Sequence, residues 1–266
     1  MNLNVKITSV HNKKILALRK LYKSRERKAS DVFIAEGKKE VQRGILSGFE
    51  LEKLYYCPTI FKNDLNDIDK LDFEKVDIYE LDKSVYEKIA YRDNTEGILA
   101  LFKKKTYGFD DIASDSKNLY IVLEAVEKPG NLGAVLRTAD AAGITGIIMT
   151  NTKVDQYHPN VIRSSLGAVF TVPVVVSTNE DALRFFKENN IKIYSAALPS
   201  YKNLYELDLN QPVAMVFGTE SNGLTDFWLQ NNDENYTIPM NGIVDSLNVS
   251  TSVAISIYEV LRQRGI

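Results

Sequence analysis

At 266 residues, 44% hydrophobic and 26% charged, the chain has the composition of a folded globular protein, with enough length for one large core or two modest ones. No apolar run reaches membrane-spanning length, the first twenty residues lack the apolar stretch of a secretory leader, and a single cysteine, Cys57, excludes an internal disulfide and a multi-cysteine metal site. The net charge of −2 conceals a division: residues 1–109 hold 22 Lys+Arg against 17 Asp+Glu, whereas residues 110–266 hold 11 against 18.

In chain order, "HNKKILALRKLYKSR" predicts a helix with Ile15, Leu16, Leu18, Leu21 and Tyr22 near one face. "DVFIAEG" predicts a strand, and "KKEVQRGILSG" an amphipathic helix closed by Gly48. The strands "LEKLYYC", "KVDIYEL" and "EGILALF" complete a small α/β/α domain over residues 1–108, with no catalytic constellation of its own. Its basic excess is densest at the start, 12 Lys+Arg against 4 Asp+Glu in the first 43 residues. That excess reads either as a solvated helix face or as the footprint of an anionic polymer. Polar, aperiodic residues 109–117 read as a linker to a second domain, 118–266.

The second domain alternates more strictly, with "LYIVLEA", "GIIMT", "VPVVV", "IKIYSAAL", "PVAMVFG" and "NYTIPM" as strands. Between most of them lie helical stretches such as "NEDALRFFKENN". Nearly continuous apolar strands imply burial on both faces, hence a mainly parallel α/β sheet. Ligands of such sheets bind at loops beyond the carboxyl ends of the strands, and three loops there are chemically rich.

The first, "EKPGNLGAVLRTADAAG", pairs Gly130 and Gly133 with Asn131 as a candidate helix cap and Arg137 two turns on. It lacks the third glycine of a dinucleotide fingerprint, and a surface arginine is its bland reading. The second, "VFGTESNGL", runs from a buried strand through Gly218 and Glu220 to Gly223; a plain cap leading into "LTDFWLQ" is the alternative. The third, "IPMNGIVDSLNVSTSVAISIYEVLRQR", is a glycine-bearing loop followed by a helix expected to begin near Ser246 or Leu247, with Ser246 as its cap. The small residues Ser250, Ser252, Ala254 and Ser256 allow a close helix contact.

In order and spacing, "NLGAVLRTADAAG", "VFGTESNGL" and "IPMNGIVDSLNVSTSVAISIYEVL" resemble the three signature motifs of the SpoU (TrmH-like) RNA 2′-O-ribose methyltransferases of the SPOUT superfamily. "HPNVIRSSLGAVFTVPV" resembles the family's connecting segment, and the first half is similar to the substrate-binding domain many members carry. The resemblance implies a SPOUT-type sheet with a deep C-terminal trefoil knot, a rare exception to unknotted topology. It implies S-adenosylmethionine as methyl donor, no metal, and a homodimer formed through the knotted domain. The matching donor-binding positions are Gly218, Ile238, Met240 and Leu247; the matching catalytic positions are Arg137, Asn131, Glu220, Ser246 and Asn248. A guanidinium is effectively always protonated, so Arg137 is read as a clamp on phosphate and developing negative charge, with general base as the alternative. Glu220, Ser246 and Asn248 are expected to hold Arg137 and the ribose in register.

With that resemblance the charge division acquires a use: RNA contacts are expected from Arg163 and from Lys20, Lys23, Arg25, Arg27 and Lys28. The expected substrate is ribosomal or transfer RNA, ribosomal favoured, in a cytoplasmic setting with no membrane partner. Two rivals share the fold: a catalytically silent RNA-binding protein and a methyltransferase acting on a base. The intact polar positions oppose the first, and the form of the third motif opposes the second.

Overall fold

The structure is a computed structural model that describes residues 5–72, 74–91, 94–112, 117–198, 200 and 202–266; residues 113–116 of the expected linker lie outside that set. The chain forms two compact units. The first comprises residues up to Lys105 together with Asp155–Thr171, and the second Thr106–Val154 with Val172–Ile266.

The first unit carries β1 (Val5–Ile7), α1 (Lys13–Leu21), α2 (Ser24–Ala29), β2 (Val32–Glu36), α3 (Lys38–Leu46), β3 (Leu51–Tyr56), β4 (Asp77–Leu81), α4 (Lys83–Ile89) and β5 (Ile98–Lys103). Its sheet has the order β1-β4-β3-β5-β2, with β3 and β2 antiparallel to β5 and the other pairs parallel. The helix expected over residues 11–25 is divided: α1 buries Ile15 and Leu18, then the chain turns and α2 starts at Ser24. Helix α3 lies flat on β5 because residue 44 is glycine; a Cβ there would stand 2.6 Å from the Phe102 ring. Residues 155–171, although drawn from the second half of the sequence, pack into this unit through aromatic rings. Tyr157 stacks on Phe33 at 4.1 Å between centroids, and Phe170 meets Phe33, Phe49 and Phe102. Ring pairs of this kind contribute beyond their buried area.

The second unit carries β6 (Leu119–Glu124), α5 (Pro129–Ala142), β7 (Gly146–Thr150), β8 (Val174–Ser177), α7 (Asn179–Glu188), β9 (Lys192–Ala196), β10 (Lys202–Asn203), β11 (Val213–Phe217), α8 (Asp226–Gln230), β12 (Glu234–Thr237) and α9 (Val249–Gln263); α6 (Pro159–Ser164) belongs to the inserted 155–171 segment of the first unit. All seven strands are parallel, in the order β10-β12-β9-β11-β6-β7-β8. Every residue of β6, β7 and β11 is buried, as the unbroken apolar runs require of central parallel strands. Trp228 on α8, with Phe185 and Phe186 on α7, fills the core on one side. From β6 the chain builds outward through β7 to β8, whereas β11 lies on the other flank of β6. The strand order therefore reverses at the β6/β11 junction, where the carboxyl ends of two central strands open a crevice.

Candidate active site

Strand β6 ends in Glu124, and Ala125 follows with φ at +54°, which turns the chain sharply away from the sheet. Helix α5 then starts with Pro129 in its first position, where a missing N–H costs nothing. The flanking position is Lys128, so Asn131 sits inside the first turn and is not the cap expected from the sequence. Leu132, Gly133, Val135, Leu136 and Ala139 bury one face of α5, while Arg137 projects into solvent.

Strand β11 delivers the chain to Gly218. A Cβ there would lie 2.0 Å from the Gly223 carbonyl oxygen, because the loop folds straight back on itself. Thr219 and Gly223 exchange backbone hydrogen bonds at 3.0 Å in both directions, and Gly223 holds φ at +66°. This tight turn presents Glu220. Its Oε1 accepts from Asn131 Nδ2 at 3.0 Å and from Asn248 Nδ2 at 2.5 Å, and its Oε2 pairs with Lys128. Asn248 Nδ2 also donates to Asn131 Oδ1 at 3.2 Å. One residue from each of the three loops thus meets in a single polar cluster. The Lys128 ammonium, followed by the Asn131 amide, holds the Glu220 carboxyl below the usual carboxylate range, so it stands as an ionised hydrogen-bond acceptor.

The third loop differs from expectation. Helix α9 begins at Val249, and its cap is Asn248, whose Oδ1 accepts from the Ser250 amide at 3.0 Å and from the Ser250 hydroxyl at 2.6 Å. Ser246 lies in the exposed loop before it, with its hydroxyl on the Asp245 carboxylate at 3.2 Å. Asn is at least as good a cap as Ser, and the chain took the residue two positions later. Arg137 also departs from expectation. Glu220 holds Lys128, Asn131 and Asn248, and among the described residues the Arg137 guanidinium has no hydrogen-bond or ion-pair partner.

A donor nucleoside needs main-chain partners and an apolar slot. Among the described residues, no amide or carbonyl of residues 240–247 engages another backbone group or side chain. Half-buried Ile238, Met240 and Leu247 occur along the same stretch, and the side-chain-free Gly218 lets the backbone close up opposite. The residues present fit such a group. Among the described residues no group of three His, Cys, Asp or Glu side chains is placed to hold a metal ion.

Sequence reasoning missed two residues. Lys128 escaped because nothing local marks a lysine as facing a carboxylate 92 positions away. Glu124 was passed over as part of an apolar run, yet it is 1% exposed and fully engaged. It accepts from the Thr225 amide at 2.8 Å, the Thr225 hydroxyl at 2.7 Å and Asn179 Nδ2 at 2.7 Å, and Asn179 in turn accepts from the Trp228 indole at 2.9 Å. A lone carboxylate closing "LYIVLE" was the available signal, since buried charges require such partners. The network fixes the far end of the Gly218–Leu224 turn to β6.

The expected RNA contacts divide. Lys20, Lys23, Arg25 and Lys28 are exposed, and Arg163 is exposed on α6. Arg27 is not. It is 1% exposed, its Nε donates to Asp155 Oδ2 at 2.5 Å, and its Nη1 donates to the carbonyls of Leu21 and Tyr22. The expectation for Arg27 is corrected: on α2 it points inward, and it fastens the 155–171 segment to the first unit's helices.

The model of the SpoU rRNA methylase family matches residues 118–258, and that of the MRM3-like substrate binding domain matches residues 12–100. The chain is similar to the 23S rRNA (guanosine(2553)-2′-O)-methyltransferase RlmP of Bacillus subtilis, at 28% identity over 96% of this chain and 98% of that one. It is also similar to the 23S rRNA (guanosine-2′-O-)-methyltransferase RlmB of Pectobacterium atrosepticum, at 36% identity over 64% of this chain and 72% of that one. Among solved structures, an AdoMet-bound rRNA methyltransferase from Sinorhizobium meliloti superposes with a TM-score of 0.89 at 27% identity, covering 97% of each chain. An RNA 2′-O ribose methyltransferase gives 0.85 at 33% identity, covering 98% of this chain and 100% of that one.

Proposed function

Because the chain belongs to the SpoU rRNA methylase family, we propose that it transfers the methyl group of S-adenosylmethionine to a ribose 2′-hydroxyl of ribosomal RNA. The observation that carries this reading is the meeting of Asn131, Glu220 and Asn248 beside residues 240–247, whose backbone has no intramolecular hydrogen-bond partner among the described residues. Relatives that act on ribosomal RNA by name, and an AdoMet-bound structure of the same fold, support the choice of substrate and donor.

When bound, the donor would supply an electrophilic methyl on sulfonium; its passage to the 2′-oxygen would leave S-adenosylhomocysteine, and the hydroxyl proton would go to solvent water. The chain's own residues arrange the acceptor. Ionised Glu220, held by two amides and Lys128, accepts a hydrogen bond from the ribose hydroxyl and orients its oxygen. A carboxylate of lowered basicity is a poor general base, so its part is mainly positioning. Arg137, exposed and without a partner among the described residues, clamps a phosphate and stabilises negative charge forming on oxygen. The Gly218 turn and residues 238–247 enclose the donor.

The C-terminal segment of this enzyme passes through a trefoil knot, and two copies associate through the knotted domain, where α9 offers exposed Tyr258 and half-buried Ser252 and Ala254. It works in the cytoplasm on the RNA of the ribosome. Donor binding and methyl transfer then separate by mutation. Arg137→Ala abolishes transfer and leaves S-adenosylhomocysteine affinity, read by calorimetry, within about twofold. Arg137→Lys fails too, since lysine loses the planar fork. Near-normal turnover by either variant would remove Arg137 from the reaction.

A further inference from the structure

In the first unit, and not among the residues assigned above to transfer, Tyr91 lies 42% exposed two residues beyond the end of α4. Its ring is not loose. It stacks on Tyr22 at 5.6 Å between centroids and 23° between planes, and it meets the edge of His158 at 6.4 Å and 88°. The Tyr91 amide donates to Glu36 Oε2 at 2.8 Å, and Thr95 donates to the other oxygen of that buried carboxylate at 2.9 Å. Backbone and ring are therefore both fixed before any ligand arrives, so little ordering cost attends binding.

Two further features surround this ring. Tyr22, Tyr91 and Arg163 line one small cleft, and Arg163 is exposed with no ion-pair partner among the described residues. The Tyr22 hydroxyl oxygen is buried there without a hydrogen-bond partner. The cleft admits only a group of about water size, so a flat ligand would lie on the exposed part of the Tyr91 ring and not within the cleft.

We infer that Tyr91, backed by Tyr22 and flanked by Arg163, is a stacking platform for one unpaired RNA base. This rests on the reading of the protein as an RNA methyltransferase and names the kind of RNA it grips. An aromatic face with a guanidinium at its rim recognises a base through its π-surface and its phosphate. Bases inside an A-form duplex are already stacked on both faces and cannot present that surface, whereas loops and bulges can. The exposed cations Lys20, Lys23, Arg25 and Lys28, close in sequence to Tyr22, suit the flanking phosphates.

The test uses the full-length protein and two RNA hairpins of one composition, with 2-aminopurine in the loop of one and in the stem of the other. The loop probe is expected to change fluorescence on binding and the stem probe is not. Tyr91→Leu should weaken binding of the loop hairpin about tenfold or more, while Tyr91→Phe, which keeps the ring, restores it. S-adenosylhomocysteine affinity should be unchanged in both, and the loss of the Tyr22 stack in Tyr91→Leu should lower the thermal midpoint by only a few degrees, leaving the protein fully folded at the assay temperature, which separates a lost contact from a damaged fold. Equal loop affinity in wild type and Tyr91→Leu, or equal weakening by Tyr91→Phe, overturns the platform. So does a change of oligomeric state in Tyr91→Leu without a change in RNA affinity, since the ring would then serve a protein contact. If wild type methylates ribosomal RNA while Tyr91→Leu binds and turns over normally, the platform falls and the methyltransferase reading stands; absence of transfer by wild type strikes that reading instead.

Discussion

Glu220 is held by a lysine and two amides, and that arrangement makes a statement about pH. Its carboxyl lies below the ordinary value, first because of Lys128 and then because of Asn131. A depressed folded-state value means the cluster is intact above the ordinary carboxylate range and is lost only as pH falls through the lower folded value. Methyl transfer should therefore be insensitive to this group at neutral pH, with its acid limb lying below the ordinary carboxylate range. In Lys128→Ala the acid limb of the pH–rate profile should move upward toward the ordinary carboxylate value; an unmoved limb would show that Lys128 does not govern Glu220. Arg27 makes the opposite kind of statement, about stability and not chemistry. Its loss would leave Asp155, 11% exposed at the side chain, without its cation. Arg27→Ala should cost about 3 kcal/mol in denaturant unfolding, whereas exposed Arg25→Ala should stay within about 0.5 kcal/mol. Equal effects would place Arg27 on the surface after all. Sequence could not separate the two arginines: "SRERK" is polar throughout, and the partner that draws Arg27 inward lies 128 residues away. Asn131, Glu220 and Asn248 were singled out through the family resemblance, since each loop by itself also allowed a bland reading, and the structure brings the three side chains together.

At the scale of elements, glycine decides where the backbone closes up. Gly218→Ala would drive a Cβ into the Gly223 carbonyl, so the turn must open and carry Glu220 with it. S-adenosylhomocysteine affinity should fall at least tenfold, while Gly108→Ala, outside the donor loops and with only Asp111 Oδ2 at 3.8 Å from the new methyl, should bind as wild type. Loss of affinity in both variants, or in neither, would dissociate the turn from the donor. The pair α1 and α2 presents the other element-level function. Replacing Lys20, Lys23, Arg25 and Lys28 by glutamine should weaken RNA binding and flatten its salt dependence, since each lost phosphate contact removes about 0.7–0.9 from the log–log slope. An unchanged slope would make these cations a solvated face only. Most strands were legible, but the short edge strands β1 and β10 were not, and neither were the helix starts. Ser246 and Asn248 are both good caps, and the choice between them is made by Glu220 and Asn131, which hold the Asn248 amide from elsewhere in the fold.

At the scale of the whole molecule, the family and the mainly parallel α/β fold were readable because three loops carry specific residues in fixed order at the ends of buried strands. The membership of residues 155–171 in the first unit was not readable. It depends on Tyr157 and Phe170 finding Phe33, Phe49 and Phe102, long-range contacts to which no local period points. The family models divide the chain in the same sense as the proposal, a substrate-binding match over residues 12–100 and a methylase match over residues 118–258. The measurement that tests the central claim most directly is nucleoside analysis of ribosomal RNA after incubation with the full-length protein and methyl-labelled S-adenosylmethionine. The account predicts label in a 2′-O-methylated nucleoside, stable to alkali as a dinucleotide, and lost in Arg137→Ala. Label on a base, or no label on any ribosomal RNA, would contradict it.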